Sequence, residues 1–322
     1  MIEPISPSQT SSISQRVGIC FQTSLPVAFK TIKWLLKLML PVSFFVMLLD
    51  YSGILFLLAS YTEPFVHLLG LRGEAALVLL SGALLNIYSA IAVMQSIHFT
   101  PREITIVALM VLIAHNLIVE TAVQKKTGSS AIKMVLLRIG VAMVAGFLLN
   151  LILPLRTVFS EGSSLIRQSE PFVNVFTDWL ISTFYLIVKV VLILIGLNFL
   201  HKILDEFAIN TWLARFMSPL LRMFGLPPKA SFLWIIANVI GLAWGSSVLI
   251  EETRQGKITQ QEADILNHHV AISHSLLEDT LLFIAIGASL FWIVFPRLLL
   301  AFLVVWIYRL VFLKHQTFTK HQ

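Results

Sequence analysis

Apolar runs long enough to cross a bilayer follow one another along almost the whole chain. They lie near 31–58, 74–97, 102–124 and 131–155, and a second set lies near 178–204, 229–250, 263–286 and 290–313. A helix needs roughly 20 residues to span a ~30 Å hydrocarbon core. It also satisfies its own backbone polar groups where no water is at hand. The pattern predicts an all-α fold, a polytopic transmembrane helical bundle of about eight spans. The runs 74–97 and 229–250 carry small and polar residues in their middles: Asn86, Tyr88 and Ser89 in one, Asn238, Gly241, Gly245, Ser246 and Ser247 in the other. Each reads as a broken single span. The alternative makes them re-entrant hairpins, tolerated only where protein or water surrounds them, and leaves six spans. Shorter segments at 61–72 and 208–226 mix apolar and basic residues, as interfacial amphipathic pieces do.

The chain repeats itself. Asp50, Pro64 and Gly70-Leu71 recur 155 residues later as Asp205, Pro219 and Gly225-Leu226. Farther on the offset becomes 159, and IAHNLIVET at 113–121 lies over ISHSLLEDT at 272–280. His115 then matches His274, Glu120 matches Asp279, Gly128 matches Gly287 and Arg138 matches Arg297. Apolar matches are cheap in a membrane chain; His, acid, Gly and Arg in order are not. The expected organisation is a polar tail at 1–28, a first repeat at 29–155, a Ser/Glu/Arg linker at 156–177, a second repeat at 178–313 and a polar tail at 314–322. Four crossings per repeat give parallel repeats and three give inverted ones, the arrangement of many transporters. The sequence leaves that choice open.

Composition agrees with a lipid environment. Of 322 residues, 57% are hydrophobic and 12% charged, half the ~25% charge of a soluble domain, and the mean hydropathy is +0.87. The net charge of +6 comes from Lys and Arg at helix ends, with no basic stripe of the kind that binds nucleic acid. Their distribution leans narrowly toward cytoplasmic termini. The first 28 residues lack the pattern of a cleavable signal peptide. Cys20 is the single cysteine, which rules out an intrachain disulfide and a cysteine-rich metal site. No GxxxxGK[ST], HExxH or GxSxG motif occurs. The chain is therefore not expected to be an enzyme or to carry a cofactor.

Ionisable groups within spans mark candidate sites, because burying them in lipid is costly. The run 263–286 holds Asn267, His268, His269, His274, Ser275, Glu278 and Asp279. Read as one continuous helix, it places Asn267, His274 and Glu278 on a shared polar stripe. The candidates for substrate or ion binding are His274, Glu278, Asp279, His115 and Glu120, joined by Asn238 and Ser246 from the broken spans. Imidazole with carboxylate suits a divalent transition metal; the same groups can hydrogen-bond a polar solute or relay protons. A structural role competes. Tight turns at Gly128 and Gly287 would bring Glu120 opposite Arg138 and Asp279 opposite Arg297, as ion pairs that staple each hairpin. His274 and Glu278 have no such partner in the sequence. Lys189, well inside its span, is expected to snorkel or to pair with an acid. The Gly241/Gly245 spacing suits close helix packing.

The stretches ANVIGLAWGSSVLIEE at 237–252 and HHVAISHSLLEDTLLF at 268–283 resemble the nucleoside-recognition, or Gate, domain. That domain occurs in concentrative nucleoside transporters, in the membrane part of bacterial ferrous-iron transporters and in spore-maturation membrane proteins A and B. The Ala-Asn-x-x-Gly-Leu core at 237–242 looks like the spore-maturation proteins, which have further Asn and a Pro where this chain has Trp244, Gly245 and Ser246. The resemblance is clearest over roughly 219–313 and reaches 64–155 through the repeat. It implies a multi-pass protein of the cell membrane, a bacterial inner membrane, and a transporter or permease for a nucleoside-like solute or a divalent cation. The alternative it implies is a membrane scaffold that transports nothing and assembles as a homo- or hetero-oligomer. The iron transporters' GTP-binding domain has no counterpart here.

Overall fold

The computed structural model describes residues 12–97, 99–154, 170–227 and 230–313. Helix α1 (Ile13–Tyr51) starts inside the segment expected to be a polar tail. The reason is local: Ser12 caps the backbone of Gln15, and the Gln15 side chain returns the bond to Ser12. That reciprocal box satisfies amides that would otherwise lack partners and lets a helix begin in polar sequence. At 39 residues the helix is about 58 Å long, far more than the hydrocarbon needs. It packs along α8 (Phe172–Glu206). Residues 1–11 of the expected N-terminal tail, residues 156–169 of the expected linker and the C-terminal tail from 314 lie outside the described residues.

Each of these long helices leads through a left-handed residue into a shorter one. Gly53 (φ 76°) precedes α2 (Ile54–Val66), and Ala208 (φ 51°), 155 positions on, precedes α9 (Ile209–Met223). Both short helices end at a left-handed glycine. Gly70 donates to His67 O and Leu71 to Val66 O; Gly225 donates to Arg222 O and Leu226 to Leu221 O. Glycine suits these positions because it adopts positive φ without a Cβ clash.

Among the described residues, five helical stretches are long and apolar enough to cross a membrane: Ile13–Tyr51, Pro101–Lys126, Ala131–Ile152, Phe172–Glu206 and Leu290–Val311. No strand occurs among the described residues, so the chain is an all-α membrane helical bundle. The remaining expected spans are each two shorter helices. The run at 74–97 becomes α3 (Ala75–Leu84) and α4 (Ile87–Ser96), with Asn86 capping α4 through Ser89 N. The run at 229–250 becomes α10 (Ser231–Ile235), a π-helical turn (Ile236–Ile240), a break at Gly241 (φ 96°) and α11 (Leu242–Arg254). Gly241 thus serves a backbone break rather than helix packing.

Two more breaks fall where the sequence reads as continuous helix. Pro101–Lys126 divides into α5 (Pro101–Ala114) and α6 (Leu117–Lys126). The run at 263–286 divides into α12 (Gln260–Ser273) and α13 (Glu278–Ala285), so its polar residues do not form one stripe. Helices α7 (Ala131–Ile152) and α14 (Leu290–Tyr308) follow. The centre of the bundle is α5 and α12, each with an unbroken run of buried residues: 105–113 and 265–273. A helix buried on every side is a core helix. Large apolar side chains such as Phe45, Phe184 and Leu192 stand exposed on α1 and α8, as a lipid-facing surface requires.

Candidate functional site

The two central helices begin and end alike. Thr100 and Glu103 form a capping box ahead of α5, and Thr259 and Glu262 form one ahead of α12. Helix α5 stops because His115 is extended (ψ 163°) and Asn116 is left-handed (φ 48°). Helix α12 stops because His274 is extended (ψ 162°) and Ser275 is left-handed (φ 52°). Asn enters that conformation more readily than most residues.

A helix opened away from water exposes carbonyls that must find other donors. A fully buried arginine supplies them at each break. Arg138 of α7 donates through Nε to Ile113 O (2.8 Å) and through Nη2 to His115 O (2.7 Å). Arg297 of α14 donates through Nε to Ile272 O (3.2 Å) and through Nη2 to His274 O. The freed amides are stitched to the broken spans. Asn116 N donates to Gly82 O (2.8 Å), Ser275 N to Ala237 O (3.1 Å) and Leu277 N to Asn238 O (3.3 Å).

The two breaks place His115 and His274 face to face. Their Nε2 atoms are 3.3 Å apart and their ring centroids 4.9 Å. Each Nδ1 bonds the carbonyl one turn back, Val111 O and Val270 O, at 2.9 Å. A carbonyl only accepts, so each Nδ1 carries the proton and each Nε2 of a neutral ring presents a lone pair. Two acids close the cluster. Glu120 Oε1 lies 3.2 Å from His115 Nε2, and its Oε2 lies 3.2 Å from His274 Nε2. Asp279 Oδ2 lies 3.3 Å from His115 Nε2. All four side chains are buried.

The expected staples differ between the hairpins. Arg138 Nη1 sits 2.7 Å from Glu120 Oε2, near enough for an ion pair although not aligned as a hydrogen bond. No ion pair joins Asp279 to Arg297 among the described contacts; the remaining amine of Arg297 points toward Thr280 Oγ1 at 3.5 Å. Asp279 Oδ2 accepts no hydrogen bond.

The other candidates sit beside this cluster. Glu278 accepts from Tyr88 Oη at 2.7 Å, which ties it to the first broken span. A β carbon on Gly241 would lie 3.5 Å from Ser275 Oγ and 3.6 Å from Glu278 Oε2, so the second broken span reaches the same place. Asn238 donates to Trp234 O (2.9 Å), and its buried Oδ1 accepts nothing. The side chain of Ser246 lies outside the described residues. His268 stacks on Tyr308 (4.0 Å between centroids), His269 bonds Trp234 and Ser273, and Asn267 bonds Thr127 and Ser129. Lys189 Nζ bonds Ala285 O (3.1 Å), at the C-terminal end of α13, and pairs with no acid among the described residues. Tyr88, Ser275 and Gly241 complete the site without having been chosen for it from sequence. Tyr88 and Gly241 did stand in the polar middles of the broken spans. Away from the cluster, a 540 Å³ cleft is lined by Gln95, Ser96, Asp178, Trp179 and Tyr185 among others.

The profile of the Gate family, described as nucleoside recognition, matches residues 32–131, which include α5, α6 and His115. The chain is 28% identical over 286 residues to the uncharacterized membrane protein YvoD of Bacillus subtilis (strain 168), covering 87% of this chain and 89% of that protein. No solved structure matches significantly. With its apolar spans, these findings make the chain a membrane protein, part of which is similar to the Gate, nucleoside-recognition family.

Proposed function

We propose that this protein is a transporter, with its solute site where the two opened helices meet. The observation that carries the proposal is the facing pair of breaks at His115 and His274. Each carries an inward imidazole, an acid and an arginine that holds its carbonyls. Non-helical backbone inside a bilayer marks solute and ion sites in transporters, and ionisable groups there mark pathways. A scaffold gains nothing from four acceptor-bearing side chains turned toward one another; apolar packing at that place would be as stable or more so.

The family description supports a nucleoside as solute. The cluster supports an ion, because acceptors 3.2–3.3 Å apart leave no room for a sugar and base in this conformation. The protein resides in the cell membrane, and the basic residues at the helix ends favour cytoplasmic termini.

Reconstituted vesicles test the proposal. Labelled nucleosides and divalent cations are offered outside, and uptake is followed in the wild type and in His274→Ala. The expected result is uptake of one class, reduced at least about tenfold in the variant at equal incorporation, since first-contact groups carry that much. Vesicles with the wild-type protein that take up neither class would make the scaffold reading the better one.

A further inference from the structure

We propose that His115 Nε2, His274 Nε2 and Asp279 Oδ2, with Glu120 beside them, form a binding site for a divalent d-block cation such as Zn²⁺. The proposal names the cargo class of the site described above and rests on that reading for the cargo role, though not for the binding itself.

The first argument is directional. Both Nδ1 atoms are committed as donors to Val111 O and Val270 O, so both Nε2 lone pairs point into the cluster. Two carboxylates face the same point. Four acceptor groups thus converge, with Arg138 beside Glu120 and Ser275 donating to Asp279 from outside the point where they meet. Acceptors do not bond acceptors; something positive must stand between them. A proton joins one pair and leaves the others facing. A metal ion engages three or four at once.

The second argument is metric. Zinc binds imidazole nitrogen and carboxylate oxygen at about 2.0–2.1 Å in a tetrahedron, which separates neighbouring ligand atoms by roughly 3.3–3.4 Å. The separations here are 3.3 Å between the two Nε2 atoms, 3.3 Å from His115 Nε2 to Asp279, and 3.2 Å from each imidazole to Glu120. One ligand atom each from His115, His274 and Asp279 lies within 4.8 Å of the others. Mixed nitrogen and oxygen donors suit d-block ions, whereas Mg²⁺ and Ca²⁺ take oxygen.

The third argument is orientation. Metal-binding histidines are aimed by a bond from the other ring nitrogen, and metal-binding acids by a neighbouring donor. Both imidazoles have that bond, and Arg138 orients Glu120. Asp279, not ion-paired to Arg297, keeps Oδ2 available. Arg138 and Arg297 offset Glu120 and Asp279, and Glu278 beside them adds a third acid whose charge favours a cation.

Cobalt titration of the full chain tests this. The protein is purified in detergent, stripped with chelator, and titrated with Co²⁺ while the visible spectrum is followed. The expected result is one Co²⁺ per chain, with the intense absorption of a four-coordinate ion, displaced by Zn²⁺. Replacing His115→Ala together with His274→Ala abolishes the band, and Asp279→Asn weakens binding about tenfold or more. A wild-type protein that gives no such band, or a double variant that retains it, overturns the proposal. Should the double variant fail to fold, X-ray absorption of the zinc-loaded wild type decides: two imidazoles at the ion support the site and their absence overturns it. Metal binding without vesicle uptake would remove the transport reading and leave the site standing. Uptake of an uncharged solute without metal binding would do the reverse.

Discussion

The breaks at His115 and His274 begin alike and finish differently. In both, a capped central helix ends on an extended histidine and a left-handed residue, and a buried arginine takes the carbonyls of the histidine and of the residue two before it. Beyond that point the halves part. Glu120 lies 2.7 Å from Arg138, while Asp279, its counterpart with one methylene fewer, turns to His115 at 3.3 Å. The first half uses its acid to anchor an arginine; the second turns its acid toward the centre. A duplicated frame thus supplies rigidity from one copy and a ligand from the other.

Substituting the arginines breaks the comparison most sharply. Arg138→Leu leaves Glu120 as a buried acid without its partner and two carbonyls without donors, a loss of about 3–5 kcal/mol. Arg297→Leu strands two carbonyls and removes a charge near Asp279 without breaking a contact ion pair, at about 1–3 kcal/mol. Chemical unfolding in detergent should rank Arg138→Leu well below Arg297→Leu; equal losses would mean that the Glu120 pair adds nothing. The broken spans give the next effect. Gly241 has φ 96°, and any other residue there is strained by about 1–3 kcal/mol. Leu85, at the break between α3 and α4, has φ −104° and is exposed. Gly241→Ala should therefore destabilise measurably and Leu85→Ala by under about 0.5 kcal/mol; the same unfolding curves check both.

Lengthening the second acid sharpens the contrast. Asp279→Glu is expected to reach Arg297 as Glu120 reaches Arg138. Calorimetric Zn²⁺ affinity should then fall about tenfold, or ~1.4 kcal/mol, with no loss of fold stability. Unchanged affinity would show that the shorter acid has no special place. The smallest effect concerns the shared frame. Thr100→Ala and Thr259→Ala each remove one capping box and should cost about 1 kcal/mol, alike within error in thermal melts. A large difference would show that the two helix starts bear unequal load.

Much of this was legible in sequence. Apolar runs gave the helical membrane class, and the offset of 159 singled out His115, His274, Glu120, Asp279 and the two arginines. The polar middles of 74–97 and 229–252 marked real breaks. The breaks after Ala114 and Ser273 were not legible, because neither glycine nor proline stands there. They depend on donors far along the chain: Arg138 bonds carbonyls 23 and 25 residues away, and Gly82 takes the Asn116 amide. The bond from Tyr88 to Glu278 spans 190 residues, and periodicity carries no sign of it. The start of α1 was hidden because a two-residue capping box outweighed polar composition. His268 and His269, polar residues of the same run, are bonded within the packing, which only their neighbours reveal.

The meeting of His115 and His274 underlies the whole account, and a short cross-link tests it most directly. In a Cys20→Ser background, His115→Cys and His274→Cys are combined, and the protein in membranes is treated with a bifunctional thiol reagent whose reactive ends are a few carbon atoms apart. Mass after unfolding then shows how each thiol was used. The account predicts one reagent bridging both thiols within the chain, while each single variant carries a reagent bound at one end only. Two thiols that each carry their own reagent would contradict it.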